Sequence, residues 1–359
     1  MSSVNLSTSP MVVKVPLSPR KSAKFISERA KHVTIHPEGI SKLAKDILKQ
    51  LREENIRISS PAELETFPAD LTEKDAINLV FVIDTLNFCF WIPKGAGPEN
   101  PNPPKWEVTF RNQTYTGYFA LCAAIGKALD NGKCMHNPDF YSKITLKELK
   151  DILKGNNSVD IPLLTERLNC LHEVGKILID KFDGYFINCI KKCNKNAQSL
   201  LRLITSEFPC FNDIAAYKGE SVSFHKRAQI LVADVWSLYY GEGISEFEDI
   251  DTITMFADYR VPQVLVLFET MSYSEELMNV LREEQEMTSG CEMEAEIRGC
   301  SIEVVERLKE EVERLMVEEG DEGFVCNSIL IDNYLWSYRR AHALSLTHIP
   351  FHRVPSLYY

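Results

Sequence analysis

Residues 72–91 read TEKDAINLVFVIDTLNFCFW, and whether this stretch is helix or strand decides the fold class. Its Val and Phe content suits either, but the run is longer than an ordinary strand. Thr72 and Asp75 stand at the spacing of a capping box, so the stretch is read as a helix. On that helix Ile77, Val80, Asp84, Phe88 and Trp91 follow at offsets of three or four and share one face. An acid therefore sits inside an apolar, aromatic stripe. Burying a carboxylate is costly unless it is paired or used. Either a distant Arg or backbone amides satisfy Asp84, or Asp84 grips a flat polar ligand with Asn87 as an amide and Phe88 as a stacking face.

On either side of this stretch the helical period persists. Ile40, Leu43, Ala44, Ile47, Leu48 and Leu51 mark one amphipathic helix before it. After it, patterns recur over 119–129, 145–153, 161–182, 197–207, 224–240, 262–268, 301–318 and 329–340. Residues 106–110 and 114–118 switch to a period of two around Arg-Asn-Gln, the one hairpin expected. The Pro/Asn-rich residues 93–104 read as an irregular surface loop, and residues 1–18, Ser/Pro-rich and without periodicity, as a disordered tail. The expectation is one mainly α domain over 19–359 with a small β-hairpin.

The chain has 359 residues, 45% of them hydrophobic, and a formal net charge of −11. Such a surface repels a polyanion as a whole, yet a small anion still fits a local basic pocket. No apolar run approaches the ~20 residues a membrane helix needs, and the N-terminus lacks the apolar core of a secretory signal. A cytoplasmic, reducing setting is expected, with the ten cysteines as buried free thiols. Cys189 and Cys193, one helical turn apart, are the sole weak metal candidate.

Phosphate-loop, dinucleotide, zinc-protease and nucleophile-elbow motifs are all missing from the sequence. Three further aspartates stand out beside Asp84. Asp234 in FHKRAQILVADVW shares a stripe with Arg227, Leu231 and Leu238. An ion pair with Arg227 is one reading; the other turns Lys226 and Arg227 toward a phosphate at the helix start. Asp258 in TITMFADYRVPQVL precedes Pro262, which fits the first helical position. Val261 is then the cap and Asp258 stands too early to cap, although the nearby helix start still favours its ionised form. Arg260 is its competing salt-bridge partner. Asp332 in ILIDNYLWSYRR is followed one turn later by Trp336, a pairing that suits a planar base held by stacking and by a carboxylate on its donor edge.

The blocks SPRKSAKFI, NLVFVIDTLNFCFW, YTGYFALCAAIGKALD, FHKRAQILVADVW, ITMFADYRVPQVL, EIRGCSIEVVE and SILIDNYLWSY resemble those of the queuosine salvage protein family. The resemblance runs from about residue 18 to 359 and implies a mostly helical fold similar to DNA glycosylases. It also implies hydrolysis of queuosine 5′-monophosphate to queuine and ribose 5-phosphate, with no cofactor and no metal. Asp258 is then the catalytic candidate. Phe256, Asp332, Trp336, Asp234, Asp84, Asn87 and Phe88 are candidates for holding the base and sugar, and Lys226, Arg227 and Arg260 for the phosphate. A monomer acting on a free nucleotide, with neither intact nucleic acid nor membrane as partner, is expected. Two alternatives stay open: a non-enzymatic queuine or nucleotide-binding module, and a glycosylase acting on a base within a polynucleotide.

Overall fold

A computed structural model describes residues 15–92, 105–321 and 323–359. In chain order the elements are α1 (Pro19–Ser27), β1 (Val33–Ile35), α2 (Pro37–Arg52), α3 (Glu73–Thr85), β2 (Glu107–Phe110), β3 (Gln113–Thr116) and α4 (Tyr118–Asp130). There follow α5 (Pro138–Tyr141), α6 (Leu146–Ile152), α7 (Leu164–Phe182), α8 (Ile187–Lys191), α9 (Ala197–Glu207), β4 (Ile214–Tyr217), β5 (Glu220–Ser223) and α10 (Lys226–Leu238). The last are α11 (Val261–Leu267), β6 (Met271–Tyr273), α12 (Glu275–Arg282), α13 (Glu292–Glu319) and α14 (Ser328–Ala341). The protein is a mainly α single domain, as the spacing of its apolar residues predicts.

Local chemistry sets the helix starts. Pro19 and Pro37 open α1 and α2, where a missing N–H costs nothing, and Thr72 Oγ1 accepts the Asp75 N–H at the head of α3. The six apolar positions that announced α2 are all buried.

Helix α3 ends earlier than its sequence predicts. It stops at Thr85, whose hydroxyl donates back to Phe81 O at 2.8 Å, and Cys89 is left-handed at φ 43°. The carbonyls freed over Leu86, Phe88 and Cys89 are taken by the buried guanidinium of Arg167 from α7. That partner lies about 80 positions away, so helical spacing alone could not place the break. Ile77, Val80 and Asp84 keep their shared face, while Phe88 and Trp91 leave the helix.

One β-hairpin is expected, and among the described residues there are three two-stranded antiparallel pairs. The expected one, β2–β3, turns on Arg111 and Asn112 alone, both at positive φ, so Gln113 belongs to the strand. A second hairpin, β4–β5, turns on Lys218 and Gly219. In the third pair Val33 of β1 lies opposite Tyr273 of β6. Strands of three or four residues are too short to display an alternating pattern.

The expected tail falls outside the described residues for 1–14, and the expected loop for the whole of 93–104. Of the last four tail residues, Leu17 donates its N–H to Ser221 O at 2.9 Å and Ser18 caps α1, so order begins before the expected boundary.

The longest helix, α13, packs against α1, α2, α11 and α14. At its crossing with α1 a Cβ on Gly299 would stand 2.6 Å from the Ile26 side chain, so only glycine permits this approach. The helix begins nine residues before the expected Ser301, because its first turns bury Glu294, Glu296 and Arg298 and so carry no apolar stripe. Arg298 pairs with Asp213 through both terminal nitrogens and with Glu294 at 3.4 Å.

Two histidines with buried ring nitrogens give the fold an acid limit. His225 Nδ1 and His352 Nε2 have no protein partner, and burial lowers the two rings to about 4 and about 3. An unfolded histidine titrates near 6.5, so the folded state binds fewer protons. The stability these rings contribute is full above about pH 6.5 and is lost as pH falls toward their folded values. Calorimetric Tm is expected to show this loss between pH 6.5 and 4, and His352→Phe to flatten it; an unchanged acid limb in the variant counts against the assignment.

Candidate active site

Four sequence segments converge on one ammonium. Lys226 opens α10, its backbone N–H donating to Asp213 Oδ2 at 3.1 Å. Its buried side chain reaches Asn87 O at 3.5 Å. Asp84 from the end of α3, Asp258 before α11, Asp332 on α14 and Asp234 two turns along α10 all lie within electrostatic reach of it. The four aspartates singled out in the sequence are thus brought together around a single cation.

Arg227 also acts on Asp84, and Asp258 on Arg260 and Arg339, yet burial still makes the charged carboxylates costly. Asp84 is fully buried; its Oδ1 accepts from Asn87 Nδ2 at 3.4 Å and its Oδ2 has no protein donor. Burial, then the charge of Asp234, holds Asp84 well above the usual carboxylate range. Burial raises Asp234 to about 7. Asp332 is also held well above its ordinary value by burial and then by Asp258, although its Oδ1 accepts the Phe256 N–H at 3.1 Å. Burial lowers Lys226 against the pull of Asp258 and Asp84. The group therefore retains carboxyl protons near neutrality, in a form suited to donating hydrogen bonds.

Asp234 and Tyr118 are only partly buried, yet desolvation is the largest cause shifting each of them. Both side chains are therefore deep yet still partly reached by solvent. Tyr118, at the head of α4 behind Gly117 at φ 61°, carries no charge and was not among the residues chosen from the sequence. The only sequence signal was its place in the block YTGYFALCAAIGKALD.

Asp258 is the best ordered of the four. Its Oδ1 accepts the N–H of Arg260 at 2.7 Å and of Val261 at 2.9 Å. Asp258 stands two residues before the N-cap, as its spacing predicts; the cap itself is Arg260 rather than Val261, since α11 starts at Val261 with Pro262 second, one residue sooner than predicted. Its other oxygen accepts no hydrogen bond from the described residues, and the side chain is partly exposed. Arg298 Nε donates to Ala257 O at 3.0 Å, so the Arg298–Asp213 pair holds both the Asp258 segment and the start of α10.

Other candidates take different places. Arg227 spends its guanidinium on the carbonyls of Asp84, Thr85 and Cys210, between the rings of Phe88 and Phe211. That position speaks against a phosphate role, and the expected Arg227–Asp234 ion pair is not formed. Phe88 is fully buried between Arg167 and Arg227 and offers no ligand a face. Asn87 serves Asp84 and Lys226, and Phe256 serves Asp332 through its backbone. Arg260 makes no ion pair with Asp258; its guanidinium lies 4.2 Å over Phe351 and donates to Gln263 Oε1 at 3.2 Å. Trp336, partly exposed, meets Phe119 and Tyr118 edge-on with centroids 5.6 and 6.3 Å apart.

The thiol of Cys193 donates to the carbonyl of Cys189, one turn back. A surface depression of about 560 Å³ between α2 and β6, lined by His36, Gly39, Lys42, Glu269 and Met271, touches none of the aspartates. Among the described residues no helix is long and apolar enough to cross a membrane.

Fold and geometry together define a mainly helical protein in which four carboxyls gather about Lys226 at a candidate site. The family model for queuosine salvage proteins matches residues 67–359, which include all four aspartates and Lys226, and the chain belongs to that family. It is 42% identical, over 96% of its own length and 99% of the relative's, to a Bos taurus protein named queuosine 5′-phosphate N-glycosylase/hydrolase. Proteins of the same name from Schizosaccharomyces pombe and Sphaerobacter thermophilus are each 33% identical, the first over 94% of this chain and 99% of the relative, the second over 79% and 81%.

Proposed function

We propose that this chain hydrolyses the N-glycosidic bond of queuosine 5′-phosphate, releasing queuine and ribose 5-phosphate, with Asp258 at the reacting centre. The observation that carries the assignment of Asp258 is its geometry: one oxygen is fixed by two backbone N–H groups and the other accepts none from the described residues, on a side chain within electrostatic reach of Asp332 and Lys226. As the C1′–N bond breaks, positive charge develops on C1′ and O4′ of the ribose. A carboxylate already fixed beneath the sugar stabilises that charge without reorganising. The new C1′–O bond forms either with water directly, its proton passing to a carboxylate, or first with Asp258 and then with water.

Queuine is a 7-deazapurine without a basic N7, so leaving-group activation comes through its other edges. Asp332, whose carboxyl burial holds well above the usual carboxylate range, is the group placed to donate to the departing base. Asp234, partly exposed and within electrostatic reach of Asp84, takes the cationic side arm, and Trp336 stacks on the ring. The enzyme works as a cytoplasmic monomer on free nucleotide, and the queuine re-enters tRNA modification.

Incubation with queuosine 5′-phosphate, the unphosphorylated nucleoside and guanosine monophosphate, followed by chromatography of free base, tests this. Queuine release from the first substrate is expected. Bound but unchanged ligand after prolonged incubation would instead make the protein a binding module, and salt-sensitive polynucleotide binding would favour a glycosylase of intact strands.

A further inference from the structure

Outside the carboxyl group the structure gathers a second charged cluster of opposite sign. Arg260 Nη1 and Arg339 Nε donate to the same oxygen, Gln263 Oε1, at 3.2 and 3.3 Å, which holds two guanidinium groups side by side. Gln263 is itself buried and anchored to Ile349 O. Arg340, next along α14, lies 4.4 Å over the Phe119 ring and 5.1 Å from Trp336. Lys105, just before β2, completes the group. Burial and then Arg260, Arg339 and Arg340 lower the Lys105 ammonium. Burial and then Arg260 lower Arg339 to about 10.

None of these four cations forms an ion pair with a carboxylate among the described residues. Like charges held together cost free energy that an anion between them would recover. The cluster adjoins the reacting centre, since Asp258 Oδ1 accepts the N–H of Arg260 at 2.7 Å and Arg260 and Arg339 share Gln263 Oε1; the charge of Asp258 accordingly acts on both. In a protein of net charge −11 this is a local exception to the prevailing sign.

We propose that Lys105, Arg339 and Arg340, with Arg260, form the subsite for the terminal 5′-phosphomonoester and make the enzyme choose the nucleotide over the nucleoside. The inference rests on the function proposed above. It reassigns phosphate capture from Arg227, which is committed to backbone carbonyls, and from Lys226, which is ringed by aspartates. A terminal phosphate carries up to two charges and three open oxygens, whereas a backbone diester carries one charge and continues on its far side. A converging set of cations beside Asp258 thus favours a mononucleotide over an internal residue of a strand.

The test is a ratio of specificities. Arg339→Gln, Arg340→Gln and Lys105→Gln are assayed on queuosine 5′-phosphate and on the nucleoside, with ribose 5-phosphate as competitor. Each lost cation is expected to reduce the nucleotide-to-nucleoside ratio of kcat/KM by about 10-fold, and the double arginine variant by about 100-fold. The change is expected in KM for the nucleotide, with weaker inhibition by ribose 5-phosphate, and Arg339→Lys should recover part of it. Turnover of the nucleoside shows that each variant has folded. A ratio unchanged in all three variants, with wild type turning over the nucleotide, overturns the subsite alone. Arg339-dependent binding of ribose 5-phosphate without any base release by wild type supports the subsite and sinks the glycosidic reading.

Discussion

Asp258→Asn lowers kcat for queuine release by roughly 10³-fold or more and leaves Tm within about a degree of wild type. The two halves of this result have separate causes. Asn keeps an oxygen for the N–H groups of Arg260 and Val261, and it serves as well as Asp at a helix start, so α11 keeps its entry turn. What the variant loses is the charge on the free side of the group, where the oxocarbenium-like centre forms. Asp258→Ala loses both functions, with a further destabilisation of about 1 kcal/mol from the lost bracing of the entry turn. Single-turnover assays of base release and calorimetry on both variants separate the roles. An Asn variant with wild-type kcat would move the reacting carboxylate to Asp332 or to the Asp84–Asp234 pair.

Lys226→Met gives the second large effect, and its sign depends on pH. The lysine is the cation shared by four aspartates, and removing one partner of a buried ionic group costs about 3–5 kcal/mol. The carboxyls escape this cost by protonation. Asp234 already titrates at about 7 in the folded protein, against about 3.9 unfolded, so its protonated form contributes stability that is complete below pH 4 and lost as pH rises through 7. Without Lys226 this loss steepens. The Tm deficit of Lys226→Met is therefore expected to be small at pH 5 and large at pH 8, and Asp84→Asn added to it should restore much of the difference at pH 8. A deficit independent of pH would mean that Lys226 supports the fold through packing of its stem alone.

Much of this was legible in the sequence because apolar spacing and misplaced charge are both local signals. Ile40 to Leu51 named their helix, and each of Asp84, Asp234, Asp258 and Asp332 stood out against an apolar or aromatic background. What could not be read were partnerships over long sequence distances. The break after Thr85 depends on Arg167, and the early start of α13 depends on Asp213. Arg227 looked free for a phosphate because the three carbonyls that occupy it lie in other segments. Asp258 was identified because it stands too early to be the helix cap, and the structure keeps it two residues before the cap Arg260 while one of its oxygens braces the entry turn. Tyr118, Arg339 and Arg340 acquire meaning only from what the fold sets beside them.

The pinning of the 256–258 segment has a kinetic consequence. Its contacts reach forward to both Arg298 and Asp332, while the aspartate group also needs Asp84, about 250 positions before Asp332. Helices form through neighbours in sequence, but closing such distant contacts is slow and comes late. A partly assembled chain is then rich in helix yet has no reacting centre. Helical content in a preparation of this protein is accordingly no measure of how many molecules are competent, since competence arrives with the last long-range closures.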